Sequence, residues 1–144
     1  MLTIWLVRHG KTAGNLLGRY NGRTDDPLCE EGLREAKAAE RHPEISLVYS
    51  SPMLRARQTA NICFPNAEIV TIPNLREMDF GDFEGRTAQE MEFDPVYREW
   101  VAGGCVKRCP NGEGISDFGR RAAVAFGSAV GDAISRGETE IGVT

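Results

Sequence analysis

The chain has 144 residues, enough for one compact domain around a single hydrophobic core. With 41% apolar and 26% charged residues it falls outside the disordered, collagen-like and membrane-spanning classes, and no apolar run is long enough to cross a bilayer. The net charge of −4 leaves no electrostatic footprint for a nucleic-acid partner, and arginines clustered near the motifs described below, in a mildly acidic protein, suit a small anionic substrate better than a long polyanion.

The first element expected is a strand at residues 2–7, apolar almost throughout and therefore suited to a parallel sheet covered on both faces. It is short, has no basic leader and runs straight into Arg8-His9-Gly10, so it does not read as a signal peptide, and a cytoplasmic location is expected. A polar loop continues to Asp26. Residues 28–41 read as a helix, with Pro27 and the Glu30-Glu31 pair at its start and Leu33, Ala36 and Ala39 along one side. Leu47 to Tyr49 is a second strand. Ser51 and Pro52 then read as an N-cap and first-turn proline opening a helix to about Ile62. Glu68 to Ile72 alternates and is β-branched, a third strand.

Thr87-Ala88-Gln89-Glu90 has the form of a capping box, and Asp94-Pro95 opens a short helix that ends at Gly103-Gly104. From Ser116, Phe118, Ala122, Phe126, Val130 and Ile134 recur every four residues, an amphipathic helix closed by Gly137. Residues 140–144 start a fourth strand. Alternating strands and helices predict an α/β fold, a three-layer, mostly parallel sheet with helices on both faces and right-handed crossovers. Ligands bind such sheets beyond the carboxyl ends of the strands. The segments after the first three strands, Arg8-His9-Gly10, Ser51 to Thr59 and Leu75 to Gly85, should therefore meet in one crevice.

Four cysteines, Cys29, Cys63, Cys105 and Cys109, fit no zinc spacing, and reduced thiols are expected for a cytosolic protein, although a Cys105–Cys109 bridge stays open. His9, at the tip of a strand and before a glycine, has the placement of a rigidly held ring with one nitrogen free, or of a capped core histidine. Arg8 beside it favours the first reading, because a guanidinium can hold phosphoryl oxygens. Arg55 and Arg57 lie about 200° apart on their helix, so at most one faces the crevice; both could instead belong to a solvated basic face. The helix start would add free amides and the positive end of its dipole. Glu77, Asp79, Asp82 and Glu84 form an acidic loop in which spacing alone selects no proton donor.

Leu6-Val7-Arg8-His9-Gly10-Lys11-Thr12 with Asn15, then Ser51-Pro52-Met53-Leu54-Arg55-Ala56-Arg57-Gln58-Thr59-Ala60, then Leu75-Arg76-Glu77 through Phe83-Glu84-Gly85, resemble the histidine phosphatase (phosphoglycerate mutase-like) superfamily. The resemblance runs through the chain in the right order. It implies that His9 is the nucleophile that becomes phosphohistidine, that Arg8 and Arg55 bind the phosphoryl oxygens, and that Glu77 is the proton donor. It implies further that Asn15 contacts the phosphate and that Asn21 and Gly22 line the substrate side, with no metal or other cofactor and a small phosphorylated substrate as partner. A homo-oligomer stays open. Within the family, the short length and Asn111-Gly112-Glu113-Gly114 ahead of the long helix are most similar to α-ribazole phosphatases of cobalamin synthesis.

Two departures bear on this. Cys29 stands where relatives carry Thr or Ser ahead of the first helix, which implies a weaker cap. Relatives also place a second histidine, in a His-Gly pair, after a strand like residues 140–144, and His42, the only other histidine, is a poor substitute. A single histidine phosphatase domain over residues 1–144, lacking its C-terminal portion, is expected, with an apolar sheet surface left open. The alternative is a non-catalytic phosphate-ligand-binding member of the family. A mutase is a relative within the enzyme class, and a plain nucleotide-binding domain is disfavoured because no Gly-rich phosphate loop follows the first strand.

Overall fold

Four short strands and five helices follow one another in the computed structural model, which describes residues 1–144. The order is β1 (Thr3–Leu6), α1 (Ala13–Leu16), α2 (Glu30–Ala38), β2 (Leu47–Ser50), α3 (Leu54–Cys63), β3 (Glu68–Thr71), α4 (Pro95–Ala102), α5 (Ile115–Ser135) and β4 (Glu140–Val143). All strand pairs are parallel, and the spatial order is β1-β4-β2-β3. Leu6 pairs with Val143, Val143 with Tyr49 and Ser50 with Thr71, so the four carboxyl ends stand level along one edge.

Alternation along β2 sends its side chains to two separate cores. Leu47 and Tyr49 pack with Ala129, Ala133, Ile141 and Val143 beneath α5. Val48 faces the other way, with Ile45, Ala60, Cys63 and Phe64 against α3. The three-layer arrangement expected from the sequence is the one observed. A third cluster, Met78, Phe83, Met91, Tyr97, Trp100 and Cys109, lies under the long loop and α4. All four cysteines are free thiols, and Cys63 and Cys109 are buried in these clusters.

Three expectations require correction. β1 is an edge strand paired only with β4; Leu2 and Ile4 pack on one of its faces and Trp5 and Val7 on the other, but each only in part, and Leu6 is 71% exposed, so the cover expected over residues 2–7 is incomplete. α3 begins at Leu54, not at Pro52: its first amide is taken by Asp25 Oδ1 at 2.6 Å, a cap supplied from a distant loop, while Ser51 Oγ accepts only from Met53 N–H. The Thr87–Glu90 capping box forms both of its hydrogen bonds but closes a turn, because the residues after it do not continue as a helix. Cys29 does cap α2, accepting from the Gly32 N–H through Sγ at 3.5 Å, and Asp94 caps α4.

The expected face of α5 is also shifted. A strict four-residue repeat drifts by about 40° per step on a helix of 3.6 residues per turn, so Phe118 and Ile134 end on opposite sides. Ile134 is 62% exposed; Ala125, Ala129 and Ala133 are the buried residues of the helix, and Ala129 and Ala133 meet the sheet. These small side chains let the helix lie close to the strands. Ala129→Leu is expected to overpack this seam, costing about 1–3 kcal/mol and lowering the melting temperature by roughly 3–10 °C in thermal denaturation.

Candidate active site

Segments from all four strand ends line one cavity of about 170 Å³: Val7, Arg8 and His9 after β1, Ser51, Met53, Arg55 and Ala56 after β2, Leu75 to Glu77 after β3, and Thr144 after β4. Phe118 and Ala122 of α5 close its side. A second opening of about 590 Å³ beside it adds Lys11, Asn15, Leu16 and Glu35 to Arg8 and His9. The convergence expected at the carboxyl ends of the strands is therefore present.

His9 is half-buried, with Nδ1 2.7 Å from the carbonyl oxygen of Gly10. Only a protonated Nδ1 can donate to that carbonyl, so the neutral ring carries its lone pair on Nε2. The Gly10 N–H donates to Thr59 Oγ1 at 3.1 Å, and Thr59 donates in turn to the Arg55 carbonyl, fastening the His9 turn to α3. A side chain at Gly10 would stand 2.6 Å from the carbonyl oxygen of Gly32, so glycine is what lets the turn pass against α2.

Burial lowers the His9 pKa from its ordinary value; the Arg55 and Arg8 charges lower it further, while the Gly10 hydrogen bond and Glu77 oppose them. Because the unfolded ring has the higher pKa, the unfolded chain binds more protons between the two values. This contribution to stability is present above the unfolded pKa and is lost as pH falls towards the folded one. The neutral ring is also the nucleophilic form, so it persists at lower pH than in a free imidazole. Arg8→Met removes one of the opposing charges. The His9 titration, followed by NMR, is expected to move upward in that variant.

Arg55 is 2% exposed and forms no ion pair with any carboxylate. Its guanidinium donates to the carbonyls of Thr24 (2.8 Å), Gly22 (3.1 Å) and Asn21 (3.3 Å). A buried cation held only by neutral carbonyls leaves its charge uncompensated, the condition that favours an incoming anion. Arg57, by contrast, is exposed, as its angle around the helix requires. Arg8 is exposed and lines both cavities. Asn15 Oδ1 accepts from the Thr12 N–H and hydroxyl, which leaves its amide nitrogen for the larger cavity. Glu77 lines the smaller cavity with His9 and accepts from the Met78 N–H at 2.8 Å.

Asn21 and Gly22 lie elsewhere. Neither lines a cavity at His9. Gly22 is buried, its N–H donates to Glu84, and a Cβ there would collide with the Met78 carbonyl. Asn21 donates to Thr12 Oγ1 and Asp26. The 21–24 loop is thus gripped through its carbonyls by Arg55 and through its amides by Glu84, which also accepts from Arg23 N–H, Thr24 Oγ and Phe80 N–H. The helix end after β2 is likewise no open anion site, since Asp25 occupies its first amide. His42 is 6% exposed, packed between Trp5 and Phe64 with Nδ1 3.2 Å from Glu44, and lines none of these cavities.

Residues 4–138 match the family described as "Histidine phosphatase superfamily (branch 1)". The chain belongs to the histidine phosphatase superfamily. Among family members, it is 35% identical over 127 residues to the adenosylcobalamin/alpha-ribazole phosphatase of Salmonella typhimurium, covering 83% of this chain and 63% of that protein. It is also 35% identical over 137 residues to the probable phosphoglycerate mutase GpmB of Yersinia pestis, covering 90% and 64%. The chain therefore spans somewhat less than two thirds of the length of these curated relatives. Among solved structures, the alpha-ribazole phosphatase from Shigella flexneri superposes with a TM-score of 0.84 at 29% identity, over 97% of this chain and 71% of that one. A phosphoglycerate mutase from Thermus thermophilus gives 0.70 at 32% identity, over 97% and 75%. The phosphoglycerate mutase-like α/β fold is shared throughout, and no helix of the chain is long and apolar enough to cross a membrane.

Two side chains to which the sequence assigned no role shape the site. Glu84 appeared only as one of four interchangeable carboxylates, and Arg121 not at all. The signal for Arg121 is a charged residue on the inner flank of α5, one position before Ala122 and three after Phe118, both of which line the cavity.

Proposed function

We propose that this chain carries the phosphoryl-transfer site of a phosphomonoester hydrolase that works through a phosphohistidine at His9. The observation that carries the reading is the Nδ1–Gly10 hydrogen bond, which leaves Nε2 as the free nitrogen of a ring lining the cavity with Arg8, Arg55 and Glu77. Arg8 and Arg55 neutralise the three transferred oxygens, and Asn15 adds an amide donor from the adjoining opening. The Nε2 lone pair attacks phosphorus, the P–O bond to the alcohol breaks, and Glu77 gives its proton to the departing oxygen. The Glu77 carboxylate then takes a proton from water; the hydroxide forms a new P–O bond, the P–N bond breaks and phosphate leaves. The residues named need no metal or organic cofactor for these steps.

The substrate class is a small phosphomonoester. Similarity to two α-ribazole phosphatases supports a phosphorylated nucleoside of that kind, hydrolysed in cobalamin synthesis. Residues 1–144 act in this reading as one domain built around the site. Rapid acid-free quenching of the protein with a phosphomonoester, followed by mass spectrometry, is expected to find a phosphoryl group on the His9 peptide that is lost in acid. Tight phosphate binding with no such adduct would instead identify a binding protein.

A further inference from the structure

Glu77 carries the proton in this reading, yet it stands on an extended stretch between Leu75 and Phe80 with no helix or strand to hold it. What holds it is a guanidinium and the carboxylate paired with it. Arg121, 12% exposed in its side chain, uses all five of its N–H groups. Two go to Glu113, from Nε to Oε1 at 2.9 Å and from Nη2 to Oε2 at 2.7 Å. The other three go to the carbonyls of Asn74 (2.9 Å), Arg76 (3.0 Å) and Glu77 itself (3.3 Å). Glu113 in turn accepts from the Asp79 N–H at 3.0 Å and donates its own N–H to the Asp79 carbonyl at 2.8 Å. The backbone is therefore pinned on both sides of the Glu77 carboxyl, and the pin is anchored in α5.

We propose that Arg121, paired bidentately with Glu113, is the positioning residue for Glu77, holding its carboxyl in the cavity opposite His9. A surface ion pair would not spend three donors on carbonyls of one loop, those of Asn74, Arg76 and Glu77. Lysine cannot substitute, because a point charge with three tetrahedral donors cannot span Glu113 and three carbonyls in one plane. Arg121 touches neither His9 nor the reacting atoms; it acts through Glu77.

The inference rests on the reading of Glu77 as the proton donor, and Arg121→Lys tests the two separately. The chain has only two histidines, so the ring of His9 can be followed by NMR and assigned with His9→Ala. Glu77 raises the His9 pKa by its charge. Arg121→Lys keeps the charge on α5, so a downward shift of the His9 titration, in the direction given by Glu77→Gln, reports that Glu77 has moved away. The His42 ring signals, packed between Trp5 and Phe64, should keep their chemical shifts, which shows the fold intact. An unmoved or raised His9 titration in folded Arg121→Lys overturns the inference. In single turnover, phosphorylation of His9 in Arg121→Lys should slow about 10²-fold with an alkyl phosphate, whose poor leaving group needs the acid, but little with p-nitrophenyl phosphate, whose leaving group does not; hydrolysis of the phosphohistidine, which needs the same carboxylate as base, should slow alike from both. Equal slowing of the phosphorylation step with both substrates also overturns it. If the wild-type chain turns over neither substrate while the His9 shift is found, the positioning stands and the hydrolase reading falls.

Discussion

Replacing His9 with alanine is expected to lower phosphomonoester turnover by about 10⁴-fold or more, since the covalent step has no other nucleophile to pass through. The loss should be chemical and not structural. His9 is half-buried and forms one hydrogen bond, to its neighbour's carbonyl, so its removal should cost about 1 kcal/mol or less of stability. Two further measurements sharpen the result. Phosphate binding should survive in His9→Ala, because Arg8, Arg55 and Asn15 remain, and free imidazole added to the variant should restore part of the rate by occupying the vacated space. Retention of wild-type turnover by a purified His9→Ala protein would remove the nucleophile, and with it the mechanism.

Arg55→Met combines two losses that the His9 substitution keeps apart. Methionine preserves most of the stem volume but none of the donors. The carbonyls of Asn21, Gly22 and Thr24 then lose partners in a buried place, at about 1–3 kcal/mol each where water cannot reach them. Some water entry is expected, so a net loss of about 2–4 kcal/mol and a melting temperature lower by roughly 10 °C are the anticipated outcome. Turnover should fall by about 10²–10³-fold, as for the removal of one preorganised donor to a transition-state oxyanion. Added phosphate should stabilise the wild-type protein against heat and the variant much less. An Arg55→Met protein with wild-type stability and phosphate response would show that the guanidinium is neither clamp nor anion site.

The parts of this molecule that could be read from the chain are those whose cause is local. A buried strand, a turn glycine and an Asp-Pro helix start each carry their instructions within a few residues, and β2, β3, α4 and the extent of α5 were legible for that reason. That the segments carrying Arg8, His9, Arg55 and Glu77 meet in one cavity was legible because a parallel sheet brings the residues after its strands to one edge whatever the loops do; the choice of Arg55 over Arg57 and of Glu77 among four carboxylates came from the family resemblance alone. The failures are tertiary. α3 starts at Leu54 because Asp25, 29 residues earlier, supplies the cap. Gly22 faces Glu84 across 62 residues, and no spacing rule places that carboxylate against the loop. Arg121 meets carbonyls 44 to 47 positions away and so leaves no mark beyond an out-of-place charge. The buried alanine stripe of α5 was missed for another reason: a four-residue period resembles the helical one over two turns and diverges over five.

The alanine seam has a consequence for the chemistry as well as for the core. α5 meets the sheet through Ala129 and Ala133 but reaches the cavity through Phe118 and Ala122, with Arg121 between them. The two ends of this contact, Phe118 and Ala133, are about 22 Å apart along one unbroken rod. Any side chain that lifts the far end from the strands tips the near end, and the loop bearing Glu77 travels with it through the guanidinium. The helix is a lever whose fulcrum is a row of methyl groups, so in the proposed mechanism residues that never approach the substrate would set the distance over which the Glu77 proton moves.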